Sequence, residues 1–134
     1  MTRHGDSTIV VVRTGSALAT RAGFAQTPIQ RMTGLLARDR MADGEALLFP
    51  RCRSIHTWGM RFPIDVVFVD RAWTVVALKE RVGPWRIVLP VWPAWGVVEL
   101  AEGAIERAGL RVGDCLHVAA EGDGTACGTR GLAG

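Results

Sequence analysis

The segment Cys52-Arg53-Ser54-Ile55-His56-Thr57-Trp58-Gly59-Met60 holds the most informative set of side chains in the sequence. Extended backbone would send His56, Trp58 and Met60 to one face and Ile55, Thr57 and Gly59 to the other. Such a face suits a groove wall, because indole stacks on a ligand and imidazole supplies a donor and an acceptor. Two other readings stand beside it. The same residues would fill the core of a small β domain, with His56 in one structural hydrogen bond. Alternatively, His56 would exchange protons near neutral pH with a carboxylate partner, as in a hydrolase or lyase. The carboxylates for that role are Asp65 and Glu99. Asp65 opens the most apolar run in the chain, where a carboxylate needs backbone N–H groups or a cation such as nearby Arg61. Glu99 points away from its neighbours Val98 and Leu100. The ligand-binding set is therefore His56, Trp58, Met60, Asp65 and Glu99, with His56, Asp65 and Glu99 as the catalytic candidates. Trp85, Trp92 and Trp95 lie in a loop-rich stretch able to cover the groove, and Asp114 reads as a turn residue.

Two Cys–His pairs raise the question of zinc. Cys52 with His56, and Cys115 with His117, would supply four ligands of the right type, making a small zinc-binding domain the second alternative. Neither spacing matches a dedicated metal clasp, and cysteine is often a small buried hydrophobe. No bound metal or cofactor is expected. A strand would also hold Cys52 and His56 about 13 Å apart, too far for a nucleophile–base dyad. Dinucleotide-binding, phosphate-loop and serine-elbow motifs are absent, so nucleotide-cofactor and α/β-hydrolase chemistries lack their anchors.

The 134 residues are 49% hydrophobic and 22% charged, which excludes a disordered tail or a supercharged nucleic-acid arm. At this length folding hides roughly two-thirds of the chain's surface, enough for one core. Sixteen basic against 13 acidic residues give a net charge of +3. No basic run occurs, which argues against nucleic acid as a partner. Three cysteines cannot all pair within one chain, so a disulfide framework is not expected. The apolar run near the N-terminus is too short for a signal peptide, and no stretch approaches the roughly 20 residues of a membrane-spanning helix. The expectation is a cytoplasmic monomer that takes a small molecule or short peptide.

Around the candidate residues the chain reads mainly as strands. Ile9–Val12, a segment ending near Phe24, Ala46–Phe49, Asp65–Val69, Thr74–Leu78, Ile87–Leu89, Val97–Leu100 and Cys115–Val118 all carry strand patterns. Asp70-Arg71-Ala72-Trp73 links two of them as a hairpin of four or five residues. Thr27-Pro28-Ile29-Gln30 has the signals of a helix start, and Ile29, Met32 and Leu36 form one apolar face. Ala104–Ala108 is one helical turn that Gly109 ends. These elements predict a mainly β fold: a compact antiparallel β-sandwich or barrel-like domain with one packed helix and a short helical turn. The expected organisation is a flexible N-terminus at 1–7, one domain at 8–119 and a flexible Gly-rich tail at 120–134.

Four segments resemble a known family in order. They are Arg31-Met32-Thr33-Gly34-Leu35-Leu36-Ala37-Arg38, Gly44-Glu45-Ala46-Leu47-Leu48-Phe49, the run from Ile55 to Asp70, and Val98-Glu99-Leu100-Ala101-Glu102-Gly103 followed by Gly113-Asp114. Together they resemble the bacterial and archaeal domain of unknown function number 192, over about residues 9–118. The resemblance implies a compact β-sandwich-like or barrel-like domain with a short helical element. It implies no activity, and marks His56, Met60, Pro63, Asp65, Glu99 and Asp114 as motif positions without roles. This chain departs from the family pattern at Leu36 and Ala46, where methionine is common. It also departs at Gly59, usually aromatic, and at Trp73, where the hairpin turn often has glycine.

Overall fold

Six consecutive buried residues form β5 (Ile64–Val69), and six more form β8 (Gly96–Ala101). Strands buried on both faces read as continuous apolar runs, and the sheet shows why. The computed structural model describes residues 3–24, 41–57, 61–88, 90–120 and 123–126. In chain order the remaining strands are β1 (Arg3–Val11), β2 (Ala17–Phe24), β3 (Glu45–Pro50), β4 (Ile55–His56), β6 (Val75–Val82), β7 (Ile87–Val88), β9 (Leu116–Ala120) and β10 (Asp123–Ala126). One helix, α1 (Ala104–Ala108), follows β8.

Eight strands form one sheet in the order β10-β9-β1-β2-β3-β8-β5-β6, while β4 and β7 pair separately. Partners across neighbouring strands point the same way. Leu48, Val98 and Val67 are in register and enter one core with Ile9, Leu18, Leu116 and Ile105. Phe49, Val97 and Phe68, one residue along, enter a second core with Phe62, Ile64 and Val88. The two ends of the sheet meet at one point. Thr74 bridges Cys115, the Leu116 N–H donates to the Trp73 carbonyl at 3.0 Å, and the Val75 N–H donates to the Asp114 carbonyl at 2.8 Å. These bonds curl seven strands, β9 to β6, into a half-barrel around the first core, with β10 outside β9.

The mainly β, barrel-like expectation is what the chain adopts. One pairing departs from the antiparallel pattern: β2 runs parallel to β3, with Arg21 opposite Glu45 and Phe24 opposite Leu48. The expected hairpin is β5 with β6, but β6 continues four residues past Leu78. A bulge allows this, because Ile64 faces Val82 while Val66 faces Lys79, leaving two residues opposite Asp65. Strand pairing also extends to both sides of the segment 8–119. Arg3 already pairs with Phe24 in β1, and Asp123–Ala126 pairs with β9, whose edge would otherwise leave backbone groups unpaired. The helix expected from Thr27, packed by Ile29, Met32 and Leu36, lies outside the described residues.

Candidate functional site

Asp65 is fully buried, and both of its carboxylate oxygens are occupied by backbone. Oδ1 accepts the Arg81 N–H at 2.9 Å; Oδ2 accepts the Gly103 N–H at 3.1 Å and the Ile105 N–H at 3.0 Å. The Arg81 N–H belongs to the bulge of β6, and the other two belong to the start of α1. Gly103 has no side chain with which to cap that helix, so Asp65 caps it from a neighbouring strand. The partners are backbone donors, and the Arg61 side chain is not among them. Thr57, also fully buried, plays a similar part for the loop before β7. Its hydroxyl donates to the Gly83 carbonyl at 2.6 Å and accepts the Arg86 N–H at 2.9 Å.

Glu99 is buried in register with Leu47 and Val66, on the face of the second core. The backbone of His56 pairs with Ile87 across the β4–β7 ribbon. Trp58 and Met60, the other residues expected on that face, lie outside the described residues. Of the candidate zinc ligands, Cys52 and Cys115 lie against different cores. Cys52 borders the second core and donates its thiol to the Ser54 carbonyl at 2.9 Å. Cys115 borders the first core and is disulfide-bonded, which removes it as a thiolate ligand. His117 sits half-buried in β9 between core residues Leu116 and Val118. Among the described residues, no three His, Cys, Asp or Glu side chains are placed to hold a metal ion.

Asp114 holds the turn before β9. It accepts the Arg111 N–H at 2.8 Å and an ion pair from Arg13 at 2.7 Å. The hydrogen bond from Arg13 holds the carboxyl below its ordinary value of 3.8, against the opposing effect of burial. A carboxylate depressed by folding stabilises above its unfolded pKa, and that contribution is lost as pH falls through the lower folded value. Arg13→Gln should therefore melt below the parent at neutral pH. The gap between the two melting temperatures should close as the pH falls below the ordinary carboxylate range.

A concavity lies elsewhere, at the joint between the segment before β4 and the loop before β8. Two backbone bonds zip these together: the Cys52 N–H to the Trp95 carbonyl at 2.9 Å, and the Val91 N–H to the Arg53 carbonyl at 3.1 Å. Beside the joint opens a cleft of about 540 Å³ lined by Arg51, Arg53, Asp70, Arg71, Trp92 and Trp95, among others. That volume lies within the range of small-molecule sites. The Arg53 guanidinium lies over the Trp92 ring, 5.4 Å from its centroid, and Trp92 is 81% exposed. Asp70 is the one acid among the described lining residues, and its Oδ1 accepts the Ala72 and Thr74 N–H groups of the hairpin turn. The sequence reading missed this site. Arg51-x-Arg53 alternation was the visible signal, but only the folded chain brings Arg71 and Trp92 to it.

Comparison with known proteins matches this architecture. The DUF192 family model, described as "Uncharacterized ACR", matches residues 9–118. A UPF0127 protein of Pyrococcus furiosus is 34% identical over 109 residues, covering 79% of this chain and 93% of that protein. A UPF0127 protein of Thermococcus sibiricus is 31% identical over 104 residues, covering 75% and 67%. Among solved structures, a Sinorhizobium meliloti protein described as a candidate transcription regulator is similar, with a TM-score of 0.68 and 26% identity over 84% of this chain and 91% of its own. A Novosphingobium aromaticivorans protein of unknown function shares the fold, with a TM-score of 0.67 and 24% identity over 82% and 81%. The family match takes in the β5–β6 hairpin, the helix cap at Asp65, buried Glu99 and the Asp114 turn, and the chain belongs to the DUF192 family of uncharacterised conserved proteins.

Proposed function

We propose that the chain is a non-catalytic binding module that takes a small molecule, or the side chains of a short peptide, in the cleft beside Trp92. The observation that carries this reading is the cleft itself. It combines about 540 Å³ of space with an exposed indole, and no nucleophile or histidine is among its described lining residues. The acid–base alternative loses support at Asp65, because a carboxylate committed to three backbone donors is poorly placed to exchange protons with His56. The description of the Sinorhizobium meliloti neighbour is compatible with ligand sensing and adds no residue to the site.

Trp92 provides the test. A broad metabolite and short-peptide panel, screened by native mass spectrometry and titrated by calorimetry, should yield at least one ligand. Stacking on an aromatic side chain contributes about 1–3 kcal/mol, so Trp92→Ala should weaken that ligand roughly tenfold or more while leaving the fold intact. A panel that yields no ligand, or ligands indifferent to Trp92→Ala, would remove the cleft as the site.

A further inference from the structure

We infer that the cleft selects ligands that join a planar ring to an anionic group, phosphate or carboxylate; this deepens the binding-module reading and rests on it. Among the described lining residues, three are arginines, Arg51, Arg53 and Arg71, and one is an acid, Asp70. Elsewhere, Arg13, Arg81 and Arg107 are in ion pairs with Asp114, Glu106 and Asp43. None of the three cleft arginines has an ion pair with a described carboxylate, and Asp70 already serves two N–H groups of its own turn. The cleft therefore carries an excess of positive charge presented on guanidinium forks, the side chain best shaped for two-point recognition of phosphate or carboxylate.

The ring requirement comes from Trp92. Arg53 lies over this indole, which orders both groups, and the high exposure of the ring leaves surface for a second planar group. Arg51 adds an independent sign. Its φ of +58° lies in the left-handed region, where a side chain is disfavoured and glycine is at ease. A long cation at a position suited to glycine, on the rim of a cleft, points to a residue kept for its guanidinium.

Calorimetry with four probes at about 0.05 M and about 0.5 M NaCl tests this: 1-naphthyl phosphate, 1-naphthoate, 1-naphthol and inorganic phosphate. The naphthyl phosphate, the naphthoate or both should bind at least tenfold tighter than naphthol and inorganic phosphate at low salt, with the advantage shrinking at high salt. The order of the two anions identifies the head group. Loss of one charge-assisted contact corresponds to about a tenfold change, so Arg51→Gly and Arg71→Ala should each weaken the favoured anion by that factor and leave naphthol unchanged. Arg51→Gly should also unfold at equal or higher denaturant, which separates lost affinity from lost structure. Naphthol binding as tightly as both anions, with the same sensitivity to Trp92→Ala, overturns the anion inference and leaves the binding module standing. Silence of Arg51→Gly and Arg71→Ala toward a bound anion overturns it equally. If no probe binds and no ligand emerges from the wider panel, both readings fall.

Discussion

Replacing Asp65 with asparagine is expected to lower the unfolding free energy by about 3–5 kcal/mol, a large share of the roughly 5–15 kcal/mol typical of a domain. The side chain is fully buried and its two oxygens serve three N–H groups. Bonds to an ionised acceptor are stronger than neutral ones, and each buried donor left unmatched costs about 1–3 kcal/mol. Asparagine keeps the shape but offers one oxygen, and turns an NH₂ group toward donors. The damage reaches beyond the strand. Ile105 and Ala104 of α1 pack into the first core, and the Arg81 bulge has a φ of +51°. The carboxylate ties both to β5. Arg81 also pairs with Glu106 of α1 at 2.9 Å, but both side chains are more than half exposed, so solvent screens that pair and it cannot replace Asp65. Urea unfolding should show the loss in Asp65→Asn, and hydrogen exchange should quicken at the amides of Arg81, Gly103 and Ile105. Unchanged unfolding would mean that the carboxylate has no structural task, and would return it to the list of groups available for chemistry.

What the sequence discloses and what it hides follow from how local each signal is. The α1 boundaries are legible because Gly109 takes the left-handed conformation, with φ of +62°, and its N–H donates to Glu106, as a glycine after a last helical turn should. The β5–β6 hairpin is legible because Asp70 is a turn residue whose carboxylate collects the Ala72 and Thr74 N–H groups. Alternation along one strand, however, says nothing of which neighbour it meets or in which direction, so the parallel β2–β3 contact was hidden. A barrel-like sheet is expected from the sequence, but the residues that close it are hidden, since backbone bonds between 73–75 and 113–116 do so without a side-chain pattern. The site divides in the same way. Asp65 is recognisable as a carboxylate needing partners and Asp114 as a turn residue, whereas the cleft unites Arg51, Arg71 and Trp92 only through tertiary pairing.

Trp73 is one of the places where the chain departs from its family, and the second large effect is expected there. Its φ of +64° is a left-handed conformation in a turn where the family often has glycine, yet the side chain is 7% exposed and belongs to the first core. Its ring meets Trp95 edge to face, with centroids 6.1 Å apart and planes at 74°. Two opposing quantities decide the outcome of substitution. Removing a buried tryptophan costs about 3–5 kcal/mol, and relieving the left-handed strain returns about 1–2 kcal/mol to glycine alone. Part of that return is offset by the greater freedom of glycine in the unfolded chain, about 0.5–1 kcal/mol. Trp73→Ala should therefore lose about 4 kcal/mol and Trp73→Gly somewhat less, reversing the usual preference for alanine. Guanidinium unfolding of the pair reads this order, and an alanine variant more stable than the glycine variant would contradict the strain argument. The substitution should also reach the cleft. A small recess of about 10 Å³ already lies beside Trp73, Trp95 and Leu48, and deleting the indole would enlarge it on the side where Trp95 is supported. Trp95 is among the residues that line the cleft, and its backbone N–H and carbonyl join Val69 to Cys52. Both Trp73 variants should consequently weaken any cleft ligand while retaining Trp92 and all three arginines, which would mark Trp73 as a positioning residue for a site it does not touch.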